Sequence, residues 1–294
     1  MFKLKKSLNQ SIFFSFICVT YNNYEQLIMT LKSLELQKFK SFEVLIGNGG
    51  EYLKLEKIQS EITLNNLTLI NEKDKGIYDA MNNLKCYVRG EYVCYLNSGD
   101  TLVDKNTLNY IYKSIINFPN HTNFPLVWCS ANFISHCSKV SYQVPNPAII
   151  NLRYLKNWIR FMNFYLCHQA CFIRFDYIKD YLYDEWDLEA DYKLKKTLLK
   201  NKNGSIYIPI ISSNYYLDGI SSNINNVKLF LQHFSQLRNY SPYKRIFIFF
   251  KLVLKFIIEI FSSENRHYYK LIKYKFLDYF VRLISKLLDS KKYK

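Results

Sequence analysis

The sequence is poor in the residues that mark low-complexity, disulfide-stabilised and secreted proteins. It has only 8 glycines and 6 prolines among 294 residues, and 49% of its residues are apolar, so we expect a sizeable core and no global disorder. The seven cysteines are odd in number and form no Cys-x-x-Cys pair, which favours reduced core thiols in a cytoplasmic protein. The N-terminus lacks the long apolar run and cleavage site of a signal peptide, and we expect it to lead into the first strand.

Cysteine and histidine also occur close together, at Cys167-His168, Cys171 and His136-Cys137. Such clusters bind zinc when their ligands follow one of its standard spacings. The spacing here matches none of them, so we do not predict a zinc site.

Positive charge is concentrated at the C-terminal end of the chain. The net charge is +16, and residues 244–294 hold 13 lysines and arginines against 4 acidic residues, which gives 13 − 4 = +9. Two apolar stretches there, Ile246–Phe261 and Tyr268–Leu288, keep their charged residues to one helical face, which predicts amphipathic helices at an anionic membrane surface. A helical hairpin packed on the protein's own core is the alternative. Nucleic-acid binding is disfavoured because no recognised motif accompanies the charge.

The first third of the chain alternates short apolar runs with helical patterns. This alternation predicts an α/β fold with a parallel, doubly wound sheet, whose strands are Ser15–Thr20, Phe42–Ile46, Leu67–Asn71 and Glu91–Leu96. Each strand ends in small polar residues, in the order TYNN, GNGG, NEKD and NSGD. Because the carboxyl ends of parallel strands meet at one edge of a sheet, these four loops are expected to form a ligand site.

The second half is less regular. It contains two further strand patterns, Leu126–Ser130 and Ser205–Ile211, and an apolar segment, Asn163–Phe175, that His168-Gln169 interrupts. Five acidic residues between Asp184 and Asp191 precede a lysine-rich helix that runs to about residue 200.

Two runs of the sequence, GIYDAMN from Gly76 and GEYVCYLNSGD from Gly90, resemble family 2 glycosyltransferases of the GT-A fold. The resemblance extends over about Phe14–Ser222. It implies an enzyme that transfers a sugar from a nucleotide diphosphate donor. We expect residues 1–225 to form the GT-A catalytic domain, with a mostly parallel sheet flanked by helices. Residues 226–294 would form the basic amphipathic helical appendage.

The resemblance also implies roles for individual residues. Asp100 is the one carboxylate of the acidic turn after the fourth strand, which in the family holds a divalent metal, here Mn²⁺ or Mg²⁺, against the donor diphosphate. Asn48 falls where the family usually has an aspartate that binds uracil or ribose. The residues expected to bind substrate are Thr20, Tyr21, Asn22, Asn48, Asp74, Lys75, Asp79, Asn82, Asn97, Ser98, His168 and Gln169.

Asp191 is the expected catalytic base, because Asp191-Tyr192 matches the family's run that carries this carboxylate. It begins a helix, and its neighbours Ala190 and Tyr192 should leave it less solvated than Asp184 or Asp187. A partly desolvated carboxylate has a raised pKa and is a better base. The alternative is that acidic residues favour helix N-termini on electrostatic grounds alone.

These observations together predict an inverting, metal-assisted glycosyltransferase of the hexosyltransferase type that uses a UDP-sugar. Its acceptor would be a saccharide or a lipid-linked intermediate of bacterial surface polysaccharide or lipopolysaccharide. The protein would be cytoplasmic, bound peripherally to the inner face of the cell membrane, with no nucleic-acid partner. The alternative is a non-catalytic nucleotide-sugar-binding or scaffold protein, favoured by Asn48 and by the single carboxylate of the NSGD turn.

Overall fold

The computed structural model describes residues 11–135, 140–144, 166–185, 187 and 190–216. The chain divides into two compact units, residues 1–132 with 143–215, and residues 133–142 with 216–294. All of the predicted site residues belong to the first unit. The whole of the predicted appendage, residues 226–294 with its two helices, lies outside the described residues, and the boundary at residue 225 stays a prediction.

The first half of the described chain alternates strands and helices as predicted. Its elements are β1 (Phe14–Thr20), α1 (Tyr24–Glu35), β2 (Phe42–Asn48), α2 (Leu55–Gln59), β3 (Leu67–Asn71), α3 (Ile77–Leu84) and β4 (Tyr92–Tyr95). Every residue of β1, β2 and β4 is buried, as expected for inner strands that are covered on both faces. On α1 the buried apolar positions recur at helical spacing, which fixes the face that packs on the sheet.

The second half of the chain adds shorter and more varied elements. They are β5 (Thr101–Leu102), α4 (Thr107–Ile116), β6 (Leu126–Ser135), β7 (Val140–Val144), β8 (Cys171–Arg174), α5 (Ala190–Leu199) and β9 (Ile206–Tyr216). Strand β8 lies near the end of the apolar segment Asn163–Phe175, for which the sequence pattern predicted no helix or strand. A short 3₁₀ turn, His168–Ala170, leads directly into it. No helix in the described ranges has the length and apolar character needed to cross a membrane.

The strands form one mixed sheet in the order β3-β2-β1-β4-β8-β6-β9-β5, with β7 paired to β6. The first four strands are parallel, whereas β8 pairs antiparallel with both β4 and β6. Thr20 lies opposite Asn48, and Asn48 opposite Asn71, so the loops that follow β1, β2 and β3 leave the sheet at the same edge. The predicted clustering of these polar loops is therefore confirmed.

The centre of the sheet is built partly from cysteines. Cys18, Cys94, Cys129 and Cys171 lie on four different strands and are buried as free thiols. Burial raises the pKa of each of these thiols, so they remain protonated and unreactive. The predicted role as reduced core thiols holds for these four residues, whereas Cys86 is exposed and Cys137 lies outside the described residues.

A buried carboxylate, Glu43 on β2, connects the amino ends of three parallel strands. Its side chain is 1% exposed, and its Oε1 accepts hydrogen bonds from Ser15 Oγ (2.6 Å) and from the Arg89 amide (2.7 Å). Its Oε2 accepts a hydrogen bond from Arg89 Nε (2.6 Å), and Arg89 Nη2 lies 2.6 Å from the same oxygen. Gly90 donates to Ser15 Oγ (2.9 Å), so β1, β2 and the start of β4 meet at one charge.

Replacing Glu43 with alanine is expected to lower the free energy of unfolding by roughly 2–4 kcal/mol. The buried Ser15 hydroxyl and Arg89 amide would lose a charged acceptor, while the half-exposed guanidinium of Arg89 would turn to water. Urea denaturation measures the change. The matched control is Glu56→Ala on the exposed face of α2, for which we expect a change within about 0.5 kcal/mol. Equal midpoints for the two variants would contradict the role given to Glu43.

Candidate active site

The loops after β1, β2 and β4 contact one another at the carboxyl edge of the sheet. The Thr20 hydroxyl lies 3.4 Å from Ser98 Oγ, and the Ser98 amide donates to the Val19 carbonyl (3.2 Å). Asn22, in the left-handed region with φ 49°, accepts a hydrogen bond from the Glu51 amide at 2.7 Å. Tyr21 between them is 63% exposed. This surface combines a solvent-facing aromatic ring with polar groups held in fixed positions.

Asn48, at the end of β2, is used to shape the loop that follows it. Its Nδ2 donates to the Glu51 carbonyl and to Asn71 Oδ1, both at 2.7 Å, and its Oδ1 accepts from the Gly50 amide at 3.2 Å. An aspartate here could not donate either of the first two bonds. Asparagine therefore suits this position because its amide group can donate both hydrogen bonds. A contact between Asn48 and a nucleoside stays a prediction.

The turn before α3 is held by two aspartates. Asp74 Oδ1 accepts from the Gly76 amide and Asp79 Oδ2 accepts from the Lys75 amide, both at 2.9 Å. Burial raises the pKa of Asp74, and the neighbouring charge of Asp79 adds to the effect. The Lys75 ammonium is 3.5 Å from Glu185 Oε2, and its side chain is 68% exposed. A contact between Lys75 and an anionic ligand stays a prediction.

The NSGD turn after β4 buries its one carboxylate. The Asp100 amide donates to the Asn97 carbonyl (3.0 Å), and Gly99 has a φ of 100°, which favours glycine. Asp100 is 5% exposed, and its Oδ2 accepts a hydrogen bond from Gln169 Nε2 at 2.8 Å. Gln169 is held in turn by the Cys167 thiol, which donates to its Oε1 at 3.0 Å. Gln169, which was predicted to bind substrate, therefore orients Asp100 in this structure.

The same turn offers oxygen ligands for a cation. Asn97 Oδ1 is buried and has no hydrogen-bond partner among the residues that the structure describes. One carboxylate oxygen and one amide oxygen are hard ligands of the kind that Mg²⁺ takes, with its remaining positions filled by phosphates and water. Within the described ranges, no three His, Cys, Asp or Glu side chains form a cluster that would hold a metal unaided. The turn thus fits a cation that a bound diphosphate helps to coordinate.

Asp191 lies in the first turn of α5 and is contacted from three sides. Its Oδ2 accepts a hydrogen bond from Lys195 Nζ at 2.6 Å, and its Oδ1 accepts one from the Tyr78 hydroxyl at 3.1 Å. The Nδ1 atom of His168 is 3.9 Å from Oδ2. The carboxylate nevertheless keeps 17% of its side-chain surface exposed, so a ligand can reach it.

The expected raised pKa of Asp191 is wrong. Burial does act to raise this pKa, but the Lys195 ammonium and the hydrogen bonds from Lys195 and Tyr78 outweigh it and lower the pKa to about 2. The expectation included desolvation but not the charge of Lys195 one helical turn away. The spacing of Asp191 and Lys195, four residues apart on a helix, was the available signal.

His168 is buried and neutral at pH 7. Burial lowers its pKa to about 3, and the nearby charge of Lys195 acts in the same direction. Its ring stacks on Tyr95 with centroids 4.6 Å apart, and its Nε2 lies 3.2 Å from the Tyr183 hydroxyl. His168 and Gln169 are consecutive, so one 3₁₀ turn contacts both Asp100 and Asp191.

Helix α3 fixes the segment that leads to Asp191. The Asn82 amide donates to the Tyr183 carbonyl and its oxygen accepts from the Tyr183 amide, both at 2.9 Å. The Tyr78 ring stacks on the Tyr183 ring with centroids 5.2 Å apart. Asn82 therefore organises the chain, and its predicted contact with substrate stays untested. Sequence reasoning missed Tyr78, although its spacing from Asn82 puts both on one helical face.

A comparison with models of known protein families identifies the family of this chain. The model of glycosyl transferase family 2 matches residues 15–182, which is 168 of 294 residues and more than half of the chain. The chain belongs to glycosyl transferase family 2. The matched range contains Asp100 and the His168-Gln169 turn of this glycosyltransferase. No curated protein sequence matches it.

Solved structures show that this glycosyltransferase has the GT-A fold. It is similar to Staphylococcus aureus TarS 1–349 in complex with UDP, with a TM-score of 0.56 and 16% identity over 85% of this chain and 72% of that chain. The same TarS fragment in complex with UDP-GlcNAc has a TM-score of 0.53 and 18% identity over 86% of this chain and 74% of that chain. The mannosyltransferase PcManGT from Pyrobaculum calidifontis, in complex with GDP-Man and Mn²⁺, is also similar. Its TM-score is 0.55, with 15% identity over 81% of this chain and 69% of that chain. At these identities the likeness confirms the predicted fold class and nothing finer.

Proposed function

We propose that this glycosyltransferase transfers a hexose from a UDP-sugar to an acceptor hydroxyl with inversion, assisted by Mn²⁺ or Mg²⁺. The observation that carries the proposal is the 3₁₀ turn His168–Ala170, which contacts Asp100 through Gln169 and approaches Asp191 through His168. Sugar transfer requires charge stabilisation at the departing diphosphate and a base at the attacking hydroxyl. This turn connects the candidates for the two tasks.

On the donor side, Asp100 and Asn97 would hold the cation. When bound, the cation neutralises the charge that develops on the leaving diphosphate. The hydrogen bond from Gln169 holds the Asp100 carboxylate in a fixed orientation. Thr20, Tyr21 and Asn22 lie in the adjacent loop and would contact the nucleoside, and Lys75 would add positive charge near the phosphates.

On the acceptor side, Asp191 would receive the proton of the attacking hydroxyl. The acceptor oxygen forms a bond to the anomeric carbon, the bond from that carbon to the diphosphate oxygen breaks, and the electron pair leaves with UDP. With its pKa lowered to about 2, Asp191 is ionised throughout the physiological range and can always accept the proton. Such a carboxylate is a weak base, so it acts on a hydroxyl whose proton becomes acidic as the new bond forms.

A UDP-sugar is the proposed donor, and a panel of nucleotide sugars tests this directly. Thermal unfolding of the full chain would be followed with UDP-sugars and GDP-mannose, each in Mn²⁺ and in EDTA. We expect stabilisation by at least one UDP-sugar in Mn²⁺, of about 2.7 kcal/mol when the ligand is at 100 times its Kd. A response to GDP-mannose alone would reassign the donor. A response to none of the nucleotide sugars would remove the proposal.

The rival function is nucleotide-sugar binding without transfer. It is favoured by Asn48, whose amide is engaged by Glu51 and by Asn71 of β3, and by the single carboxylate of the NSGD turn. Release of free UDP from a UDP-sugar distinguishes the two, because a scaffold would bind the donor and leave it intact.

The proposed location is the inner face of the cell membrane, with a lipid-linked or saccharide acceptor of bacterial surface polysaccharide or lipopolysaccharide synthesis. The support is the charge of the last 51 residues, 13 − 4 = +9, together with their amphipathic pattern. Basic residues near an anionic surface contribute roughly 1 kcal/mol each, and apolar faces add to this.

Removal of residues 242–294 is expected to release the protein from anionic vesicles. Co-sedimentation with phosphatidylglycerol-containing vesicles measures the bound fraction, and vesicles of phosphatidylcholine alone provide the control for charge. We expect the full chain to sediment with the anionic vesicles and the truncated chain to stay in the supernatant. Equal sedimentation of both forms would show that these residues are not the anchor.

A further inference from the structure

Lys195 is a buried lysine whose side chain ends against the candidate base. It is 2% exposed, and its Nζ donates to Asp191 Oδ2 at 2.6 Å and to the Leu166 carbonyl at 2.8 Å. A buried ammonium is costly to desolvate, and a buried ion pair of this kind can often be replaced by apolar residues without loss of stability. Stability alone therefore gives little reason for a lysine at this position.

The two oxygens of Asp191 are held differently. Oδ2 takes the short hydrogen bond from Lys195, whereas Oδ1 accepts a longer one, of 3.1 Å, from the Tyr78 hydroxyl. An ionised carboxylate oxygen can accept two hydrogen bonds, so Oδ1 has capacity for a further donor. The exposed 17% of the side chain gives a ligand access to the group.

The other described groups that act on Asp191 come from separate segments and are neutral at pH 7. Tyr78 projects from α3, and burial raises the pKa of its hydroxyl. His168, from the 3₁₀ turn before β8, is kept neutral by burial and by Lys195. Burial also raises the pKa of three further groups that interact with Asp191, which are Tyr181, Tyr183 and Cys171. Among the described residues in contact with Asp191, the charge of Lys195 is the one that opposes its own.

We propose that Lys195 is a positioning residue that keeps Asp191 ionised and holds Oδ2, so that Oδ1 receives the proton of the acceptor hydroxyl. The proposal rests on the proposed function, because it assigns Lys195 a part in the same proton transfer. Lys195 itself does not touch the acceptor. Its role is carried out through the charge and the orientation of Asp191.

The sign of the expected pH effect follows from the burial of Asp191. With Lys195 present, its pKa lies below the ordinary aspartate value, so the base is ionised from acidic to alkaline pH. Without Lys195, burial is the largest remaining influence and raises the pKa. Activity would then be lost as pH falls through the raised pKa, and it would return at higher pH.

The pH dependence of kcat/KM for UDP release tests this in the full-length protein. Lys195→Met removes the charge and keeps the length, Lys195→Arg keeps the charge, and Lys196→Met removes an exposed charge from the same helix. We expect Lys196→Met to follow the wild-type profile. Lys195→Met should gain an acid limb that falls about tenfold per pH unit below the new pKa, and Lys195→Arg should lack this limb. A Lys195→Met profile of wild-type shape would overturn the proposal, even if that variant were less stable.

A measurement on the wild-type protein makes the test independent of activity and of variant folding. The ¹³C carboxyl signal of Asp191, assigned by its loss in Asp191→Asn, would be followed from pH 4 to pH 9. We expect it to remain that of an ionised carboxylate throughout. A titration with its midpoint inside this range would overturn the role of Lys195, whether or not sugar is transferred. An ionised signal without any donor turnover would instead count against the proposed function alone.

Discussion

Asp191→Asn is expected to reduce the turnover of sugar transfer by roughly 10²–10⁴-fold, which is the usual contribution of a general base. Asparagine keeps the size of the side chain and cannot take up the proton of the acceptor hydroxyl. Affinity for the nucleotide sugar should change little, because Asp191 lies on α5 while the loops that would hold the nucleotide follow β1, β2 and β4. Turnover and donor affinity, measured on the same preparation, separate these two effects.

The stability of this variant must be followed as well. Without the carboxylate, the buried ammonium of Lys195 loses its counter-charge, and breaking a buried pair in this way costs roughly 3–5 kcal/mol. Unfolding curves at the assay temperature show whether the variant is folded when it is assayed. Glu189→Gln provides the comparison, because it removes the acidic side chain two residues before Asp191. A dead Glu189 variant beside an active Asp191 variant would show that another carboxylate is the base.

Asp100→Asn is expected to abolish metal-dependent binding of UDP with little loss of fold. Asp100 is the only carboxylate of its turn, and a neutral amide is a much weaker ligand for a divalent cation. Its Oδ2 already accepts a hydrogen bond from Gln169, and asparagine can keep that bond, so the local structure should persist. Calorimetric titration of UDP in the presence and absence of Mn²⁺ measures the effect.

The matched control for this variant is Asp104→Asn. Asp104 is exposed four residues further along and accepts a hydrogen bond from the Asn106 amide at the start of α4. It should leave the metal dependence of UDP binding as in the wild type. Unchanged metal-dependent affinity in Asp100→Asn would exclude the assignment of the cation to this turn.

The parallel half of the fold could be predicted because its signals are local. Strands β1, β2 and β4 are buried on both faces and are therefore mostly apolar, and the polar residues after each of them mark the shared edge. Strand β8 was missed because it has four residues, joins the sheet antiparallel and lies inside a longer apolar segment. Its position depends on pairing with β4, more than 70 residues earlier in the chain. The local periodicity of the sequence does not predict such a pairing.

The site was predicted less completely, since several of its contacts join distant segments and one neighbouring charge was not counted. Asp191 and Asp100 were chosen from motifs, and the structure joins two of the predicted residues by the hydrogen bond from Gln169 to Asp100. The pKa of Asp191 was predicted in the wrong direction because the charge of Lys195 exceeds the effect of burial. The engagement of Asn48 with Asn71 joins residues 23 positions apart on neighbouring strands, and it needed the register of the sheet.

The most direct test of the account is the release of UDP from UDP-sugars by the purified full-length protein. The assay would compare the wild type with Asp191→Asn and Asp100→Asn, each in Mn²⁺ and in EDTA, with water or an added saccharide as acceptor. The account predicts UDP release by the wild type in Mn²⁺, loss of release in EDTA and in Asp100→Asn, and slow release with retained donor binding in Asp191→Asn. Donor binding by the wild type without UDP release under any condition, or release that both variants match, would contradict it.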